Sequence, residues 1–411
     1  MNGVFDDAGV DVRQPFTYRR TELIEAPSSQ VSRAAQLLRD AKRPLIHAGS
    51  GVLHAGASSA LAAVASALGA TVTTSWGARG ALPDGHDLML PVWAMAPINQ
   101  ARSEADVVLV VGSRLGETDW WGKPPYWGRA TEQITIQVDI DEEILGLNKP
   151  ADLAILADAR AFLDALAREL EARPPNAGQL IANRARAAAF AQQRDALRAQ
   201  FDAALENRSV PMHSAQPFAA CQRVFGKDAT YVFDGGNTAV WANFFSDITA
   251  PGQLLSTFKF GMLGAGVAQA LGAQIAQPSK RIVCLIGDGA MGFHLQELET
   301  ARRHRLPVIY VVLCDQQWGM VKLTQSIGLG PLRSVMGADA HGTINADFEE
   351  MAFDKIAEAM GCHGERVADP ALLDDALQRA AAAGKPAVIH VDVDPSMHLF
   401  APGLQEFKAM H

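Results

Sequence analysis

The stretch VCLIGDGAM, Val283–Met291, carries a run of apolar residues directly into an aspartate that lies between two glycines. An unbroken apolar run of this length is typical of a strand in a parallel sheet that is covered on both faces. Gly287 and Gly289 allow the backbone to turn sharply and a ligand to approach it closely. The stretch therefore predicts a parallel α/β sheet that places Asp288 in the crevice at the carboxyl end of a strand.

Short apolar strands that alternate with amphipathic helices extend over most of the chain, which favours sheets covered by helices on both faces. Four such strands are predicted in the first half: RPLIHAG, ATVTTS, ADVVLVVGS and QITIQVDID. Four more are predicted in the second half: ATYVFDGGN, RIVCLIGDG, LPVIYVVLCDQQWG and PAVIHVDVD. The predicted fold class is α/β, with two doubly wound parallel-sheet domains.

The predicted domain boundaries follow breaks in this pattern. Residues 1–31 are a lead-in, 32–172 a Rossmann-like central domain, 173–210 a linker with a surface helix, and 211–411 a second domain. A chain of 411 residues is too long for one ordinary core, which agrees with two domains. Ser214 is predicted to cap the first helix of the second domain, because a serine hydroxyl accepts a hydrogen bond from the first turn.

Composition narrows the function classes. The formal charge is -9 without a basic cluster, which argues against nucleic acid or an anionic membrane as a partner. The four cysteines are far apart in the sequence and form no CxxC pair, which is typical of reduced structural thiols. The first residues show no features of a signal peptide, and no apolar run reaches membrane-spanning length. These features predict a cytoplasmic protein.

The residues around Asp288 indicate a site for a cation and an anion. A helix follows the strand, and its free N–H groups near Ala290 and Met291 favour an anion such as a phosphate. Mg²⁺ between the carboxylate and the phosphate would reconcile their charges, although a lone GDG also occurs as a plain turn. The next predicted strand also ends in an acid, Asp315, at the edge that neighbouring parallel strands share. Two carboxylates are therefore expected to converge on one ion.

With this second acid, the sequence resembles the thiamine diphosphate-dependent enzymes. Their motif is GDG, an intervening helix and strand, and then a pair of asparagines; residues 287–289 match its first half. Cys314 and Asp315 stand where the family has its asparagines. The resemblance implies that Asp288 and Asp315 give side-chain oxygens to Mg²⁺ and that Gln317 gives its main-chain carbonyl. An aspartate in place of an asparagine keeps an oxygen ligand and adds a negative charge.

Two further segments are similar to that family in order and spacing. In FKFGMLGAGVAQALGA, Leu263 matches the bulky apolar residue that props the cofactor into a V shape, which brings its amino group near the thiazolium carbon. FDGGNT is similar to the family's diphosphate loop. Taken singly, the first segment also fits a glycine-spaced helix start, and FDGGNT also fits a turn. The cofactor contacts that the resemblance implies are Gly236, Asn237, Thr238, Gly261, Met262, Leu263, Gly287, Asp288, Gly289, Ala290, Met291, Asp315, Gln317, Trp318 and Gly319.

Within the family, QQWGMVKLTQ is most similar to the acetolactate synthase branch. That similarity places Met320 and Val321 beside the substrate, with Leu263 as the third residue of the predicted catalytic set. Thr324 stands where that branch has a tryptophan. The resemblance covers residues 32–172 as the central domain and 211–400 as the diphosphate-binding domain.

Three features of the central domain have alternative interpretations. FAD or ADP is left open, because Gly49 and Gly51 are a weak nucleotide signal and the residues after Arg114 do not match a flavin segment. His47 lies on an apolar strand and is expected to be a hydrogen-bonded core histidine. The aromatic run Trp120–Trp127 is interpreted as an interface rather than as a substrate wall.

The resemblance also implies a partner. Family members begin with a pyrimidine-binding domain, whose glutamate activates the cofactor, and the residues before Ser32 are too few for it. We therefore predict the larger subunit of a split enzyme, in a hetero-oligomer built on a dimer of this chain. A small second subunit would bring the glutamate. The alternative is a fragment of a longer chain.

The predicted function is decarboxylation of a 2-oxo acid, followed by protonation or by acetolactate synthase-like ligation to a second carbonyl. A 2-hydroxyacyl-CoA lyase or an oxalyl-CoA type decarboxylase is the close alternative. A non-catalytic binding or regulatory subunit is the alternative from another class. A nicotinamide dehydrogenase is disfavoured because no G-x-G-x-x-G follows a strand. Residues 328–347 are interpreted as a loop that either closes over the site or stays disordered.

Overall fold

The computed structural model describes residues 13–18, 22–257, 261–336 and 343–404, and within them the chain forms two parallel sheets of six strands. The first sheet has the order β3-β2-β1-β4-β5-β6 and the second the order β11-β12-β10-β9-β7-β8. The strands of the first sheet are β1 (Pro44–Ala48), β2 (Thr71–Thr74), β3 (Met89–Leu90), β4 (Val107–Val111), β5 (Ile134–Asp139) and β6 (Leu153–Leu156). Those of the second are β7 (Thr230–Asp234), β8 (Leu254–Ser256), β9 (Ile282–Gly287), β10 (Ile309–Cys314), β11 (His363–Val367) and β12 (Ala387–Asp392). The predicted fold class is confirmed.

Helices cover both faces of each sheet. The first half contains α1 (Ser28–Asp40), α2 (Ser50–His54), α3 (Ser58–Leu68), α4 (Met95–Glu104), α5 (Ala159–Ala172) and α6 (Ala177–Ala203). The second half contains α7 (Gln216–Phe225), α8 (Gly236–Phe245), α9 (Ala265–Ala276), α10 (Asp288–His294), α11 (Glu297–Arg303), α12 (Gly319–Met336), α13 (Phe353–Ala359), α14 (Leu373–Ala382) and α15 (Pro395–His398). In the described part of the chain, no helix is both long and apolar enough to cross a membrane.

The inner strands are buried on both faces. In β9, Val283 and Leu285 belong to one apolar core, while Cys284 and Ile286 belong to the core on the opposite face. All eight predicted strands are inner strands of the two sheets, and the four that the prediction missed, β3, β6, β8 and β11, are the sheet edges. Edge strands are short or partly exposed, so their sequences lack the continuous apolar run that marks a strand buried on both faces.

Two predicted helix features differ in the structure. A continuous helix was expected after the GDG turn, but α10 begins at Asp288 itself and is separate from α11. Ser214 does not cap α7, whose first residue is Gln216 and whose capping residue Ala215 makes no side-chain hydrogen bond. The Ser214 hydroxyl lies instead 2.9 Å from the Nδ1 atom of His398, so a distant contact replaces the local one.

Two predicted surface segments are also revised. The predicted loop 328–347 is helical as far as Met336, and residues 337–342 lie outside the described residues. The linker helix α6 is more than a surface connector, since Phe190 is buried in the central-domain core. The Arg194 guanidinium, also on α6, donates to the carbonyls of His86 (2.8 Å) and Met89 (3.0 Å), next to the edge strand β3.

In the aromatic run of the central domain, Trp120 and Trp127 are buried within the chain, which corrects their interpretation as interface residues, whereas Trp121 and Tyr126 are partly exposed. Trp127 is 1% exposed and donates its Nε1 hydrogen to the carbonyl of Asp119 at 2.7 Å. Trp120 stacks on Tyr126 with ring centroids 4.2 Å apart. His47 is buried as expected, and its Nδ1 atom lies 3.0 Å from the Thr73 hydroxyl.

A buried arginine joins the two halves of the chain. The Arg79 guanidinium, on the loop after β2, donates to the carbonyls of Asn243 (3.1 Å) and Ser246 (2.7 Å) at the end of α8. It also forms an ion pair with Asp84, whose carboxylate accepts a hydrogen bond from the Ile248 amide at 2.9 Å. The arginine and the aspartate are 1% and 2% exposed, so this contact fixes the second half against the central domain.

Candidate active site

The loops after β7, β9 and β10 meet at the carboxyl edge of the second sheet and line one cleft. The predicted residues that line it are Gly236, Asn237, Thr238, Leu263, Gly287, Asp288, Gly289, Ala290, Asp315, Gln317, Trp318, Gly319, Met320 and Val321. The structure does not bring Gly261, Met262 and Met291 into the lining. Met291 is fully buried in the apolar core, because the helix begins at Asp288 and its rotation turns this side chain to the sheet. Met262 is 50% exposed beside the cleft.

Glycines allow the three loops to approach one another. A methyl group on Gly289 would lie 2.6 Å from the Trp318 ring, and one on Gly319 would lie 2.5 Å from the Asn237 amide nitrogen. These distances are shorter than a van der Waals contact, so a larger residue at either position would force the Trp318 or the Asn237 side chain to shift. The GDG loop thus packs against the β10 loop, and the β10 loop packs against the β7 loop.

Asp288 bridges two of these loops. One carboxylate oxygen accepts a hydrogen bond from the Gly289 amide at 2.7 Å, and the other accepts one from the Gln316 amide at 2.8 Å. Asp315 accepts a hydrogen bond from the side-chain amide of Gln317 at 2.9 Å. Both aspartates are almost fully buried, at 4% and 7% exposed. The two acids that the sequence placed at neighbouring strand ends therefore line the same cleft.

The electrostatics of the pair favour a bound cation. Burial raises the pKa of Asp288 to about 6, and burial together with the charge of Asp288 raises the pKa of Asp315 to about 7. A divalent cation would offset the cost of burying both charges. Among the described residues, no three His, Cys, Asp or Glu side chains converge. An octahedral cation held by two carboxylates would therefore take most of its ligands from phosphate, main-chain or water oxygens. This donor set fits Mg²⁺ beside a phosphate.

A buried polar atom in the β7 loop also lacks a partner. The side-chain oxygen of Asn237 is buried and accepts no hydrogen bond in the structure, although the residue lines the cleft. Its amide nitrogen lies within 3.4 Å of the carbonyl of His398. An unpaired buried polar atom is rare in folded proteins, and at a ligand site a bound group or water can satisfy it. An amide oxygen is an acceptor, so a donor group, a water or a metal ion would satisfy it, whereas a phosphate oxygen would not.

The predicted apolar residues also line the cleft. Leu263 is half-buried there, immediately before Gly264, which has a φ of 83°. Met320 packs beside Gly236, where an added methyl would lie 3.0 Å from the Met320 Cβ atom. Val321 is 47% exposed. The predicted prop and the two predicted substrate contacts therefore share one cavity with the acidic pair.

His398 is a cleft residue that the sequence analysis missed. It lies on α15, is 2% exposed, and its Nε2 atom lies 3.1 Å from the Thr238 hydroxyl. No local pattern marks it, because it follows a predicted strand by several residues and contacts a loop 160 residues earlier in the chain. Only the packing of α15 against α8 brings it to the site.

Asp315→Asn tests the electrostatics of the acidic pair in metal-free protein. A carboxyl group with a pKa raised by folding binds its proton more tightly in the folded state, so stability falls as pH rises from about 4 to about 7. Asparagine does not ionise, and we expect the variant to be more stable than the parent at pH 8 by on the order of 2–4 kcal/mol. Near pH 4.5 we expect the two proteins to be almost equally stable. Chemical denaturation at both pH values, with a chelator present, measures the difference.

A matched variant controls for the general effect of removing an acid. Asp164 is on the surface of α5, with its side chain 46% exposed, and Asp164→Asn is expected to shift stability by less than about 0.5 kcal/mol at either pH. An equal gain for Asp315→Asn at both pH values would contradict the raised pKa of Asp315.

The central domain contains a separate cleft of about 610 Å³ at the carboxyl ends of β1, β4 and β5. Gly49 and Gly51 lie in its lining, together with Arg114 and Asp139. A methyl group on Gly49 would lie 2.1 Å from the carbonyl oxygen of Gly112, so this glycine is required for the packing of two strand ends. The glycine signal in the sequence therefore has a packing explanation, although the cleft is also present.

Comparison with known proteins agrees with this geometry. Residues 234–391 match the C-terminal TPP binding domain of thiamine pyrophosphate enzymes, and residues 31–166 match the central domain of the same enzymes. The first match covers the loops after β7, β9 and β10, and the second covers the first sheet.

Similar proteins of known name extend over the same region. The acetolactate synthase large subunit of Mycobacterium tuberculosis is 32% identical over 92% of this chain and 64% of its own length. The 2-hydroxyacyl-CoA lyase of Arabidopsis thaliana is 29% identical over 89% of this chain and 62% of its own length, and acetolactate synthase isozyme 1 large subunit of Escherichia coli is 29% identical over 88% and 60%. The chain thus spans about three fifths of the length of these relatives. With both domains matched, the chain belongs to the thiamine pyrophosphate enzymes.

Proposed function

We propose that the chain binds thiamine diphosphate and Mg²⁺ in the cleft of the second sheet and acts on a 2-oxo acid. The observation that carries the proposal is the buried pair Asp288 and Asp315, at the carboxyl ends of adjacent strands and facing the same cleft as the β7 loop. The match of residues 234–391 to a cofactor-binding domain supports the same position. The predicted role of the Gln317 carbonyl as a further metal ligand is part of this proposal.

The residues of the cleft have distinct roles in this proposal. The first turn of α8, with Asn237 and Thr238, would bind the diphosphate through its main-chain N–H groups and the Thr238 hydroxyl, which are donors at a helix start. Asp288 and Asp315 would hold the cation against the phosphates. When bound, thiamine diphosphate supplies an electron sink for the carbanion that forms as CO₂ leaves. Leu263 would fix the shape of the cofactor.

The substrate class is the next part of the proposal. Met320 and Val321 lie at the cleft and would contact the substrate, as in the resemblance to the acetolactate synthase branch. Similarity to both acetolactate synthase large subunits and 2-hydroxyacyl-CoA lyases leaves two reaction types to compare. Assays with pyruvate, for CO₂ and acetolactate, and with a 2-hydroxyacyl-CoA, for the aldehyde, distinguish them. Turnover of the thioester alone would overturn the assignment to free 2-oxo acids.

We also propose that the activating glutamate comes from a pyrimidine-binding domain outside the described residues. None of the described residues that line the cleft is a glutamate. Met262 and Val321 are apolar and about half exposed beside the cleft, which suits a surface covered by another domain. A small subunit in a hetero-oligomer is the arrangement we favour. Activity of the purified chain, with and without a coexpressed pyrimidine-binding domain, tests it. Cofactor binding without turnover in both samples would support the non-catalytic alternative.

Leu263→Ala is expected to separate cofactor binding from turnover. Removing the side chain would leave the diphosphate contacts intact but relax the shape of the cofactor, and a misplacement of about 1 Å can cost on the order of 100-fold in rate. We therefore expect kcat to fall by about 100-fold while the Kd for thiamine diphosphate changes by less than about threefold.

An exposed apolar position on α9 provides the control for this variant. Ile275 is 64% exposed on α9, and Ile275→Ala is expected to leave both kcat and Kd unchanged within about twofold. An equal loss of kcat in both variants would contradict the prop role of Leu263.

A nucleotide in the central cleft is a further part of the proposal. The volume of about 610 Å³ is in the range of small-molecule sites, and Asp139 at the end of β5 would accept hydrogen bonds from ribose hydroxyls. ADP and FAD are the two candidates, and equilibrium dialysis with each, followed by Asp139→Ala, compares them.

The four free, buried cysteines fit the cytoplasmic location expected from the sequence.

A further inference from the structure

Helix α15 contacts two of the segments that line the cleft, the loop after β10 and α8. The carbonyl of Pro395 accepts a hydrogen bond from the Gln317 side chain at 2.7 Å. The carbonyl of His398 accepts a hydrogen bond from the indole of Trp241, which lies on α8, at 2.9 Å. One turn of helix therefore connects the loop after β10 to α8.

The His398 ring makes two further contacts. Its Nδ1 atom lies 2.9 Å from the Ser214 hydroxyl, and its Nε2 atom lies 3.1 Å from the Thr238 hydroxyl. The ring also stacks on Trp241, with an interplanar angle of 14°. Burial lowers the pKa of His398 to about 3, so the ring is neutral near pH 7. A neutral imidazole has one N–H donor and one nitrogen acceptor. The hydrogen bonds that join Ser214, His398 and Thr238 therefore all run in one direction along the row.

Only one direction is compatible with a bound phosphate. Phosphate oxygens at neutral pH accept hydrogen bonds, so the Thr238 hydroxyl must donate its hydrogen to bind one. It then accepts from the Nε2–H group of His398, and the Nδ1 lone pair accepts from the Ser214 hydroxyl. Resting on the proposed function, we propose that Ser214 and His398 form a hydrogen-bond relay that holds Thr238 as a donor to the cofactor diphosphate. His398 is a positioning residue in this relay.

A double-mutant cycle tests the relay through the affinity for thiamine diphosphate with Mg²⁺, measured by calorimetry on the full chain and any subunit it requires. Thr238→Val and His398→Leu are each expected to raise Kd about 10-fold, the scale of one hydrogen bond to a charged group. The double variant is expected to lose no more than either single variant, because both remove the same donor. His398→Gln should restore Kd to within about threefold of the parent, since its amide also donates.

The outcomes separate the relay from the proposed function. If the parent protein binds no thiamine diphosphate, the proposed function fails. If the parent binds and the losses of Thr238→Val and His398→Leu simply add, or His398→Leu has no effect, the relay alone is overturned. A merely structural role would lower the melting temperature of His398→Leu while leaving its loss additive and without rescue by glutamine.

A measurement without cofactor tests the direction of the relay. Long-range ¹H–¹⁵N spectra of histidine-labelled protein identify which ring nitrogen of His398 carries the proton, with His398→Gln used to assign the signals. The relay requires a neutral ring protonated at Nε2. A ring protonated at Nδ1, or one that is charged at pH 7, would overturn the proposal.

Discussion

Asp288→Ala is expected to raise the Kd for thiamine diphosphate in the presence of Mg²⁺ by about 100-fold or more. Removing one partner of a buried, charge-assisted contact costs about 2–5 kcal/mol, and each 1.4 kcal/mol is about a tenfold change in affinity. The variant also leaves the amides of Gly289 and Gln316 without the carboxylate that joins their loops. Calorimetry over a range of Mg²⁺ concentrations should show that the metal dependence of binding disappears as well.

Two controls show whether this loss is specific. Asp164→Ala removes an acid from the surface of α5 and is expected to leave Kd unchanged within about twofold. The melting temperature of metal-free Asp288→Ala should stay close to that of the parent. The variant loses two hydrogen bonds to the carboxylate, but it also removes the cost of burying that charge. Binding of Asp288→Ala within about threefold of the parent would exclude Asp288 as a metal ligand.

Arg79→Ala is expected to lower the free energy of unfolding by about 3–5 kcal/mol. The change would leave the Asp84 carboxylate buried without its cation, and it would remove the donors to the carbonyls of Asn243 and Ser246. Breaking a buried ion pair from one side has a cost of this size. Urea unfolding monitored by fluorescence measures this loss of stability. The same curves show whether the two halves of the chain unfold in separate transitions.

A surface arginine provides the control for this prediction. Arg129 forms an ion pair with Glu132 while its side chain is 73% exposed, and Arg129→Ala is expected to change stability by less than about 0.5 kcal/mol. The double variant Arg79→Met with Asp84→Leu should recover part of the lost stability, since it removes both buried charges together. Equal effects of Arg79→Ala and Arg129→Ala would contradict the role of Arg79 in joining the two halves.

The acidic pair shows how far sequence reasoning reached into the site. Asp288 and Asp315 each follow an inner strand, and the carboxyl ends of neighbouring parallel strands meet at one sheet edge. Their convergence on the cleft therefore follows from the strand pattern. Met291 is the counterexample, because it lies close to Asp288 in sequence but turns into the core once the helix begins at Asp288. Adjacency along the chain therefore brings the loop to the cleft without bringing every side chain of that loop there.

Sequence alone determined the α/β class, the eight inner strands and the position of the acidic pair, because burial on both faces and strand ends leave local patterns. The tertiary structure decided the edge strands, the Arg79 contact between the two halves, and the place of His398 beside Thr238. These features depend on contacts between residues far apart in the chain. Such contacts arise only when helices and strands pack, so no local pattern of residues records them.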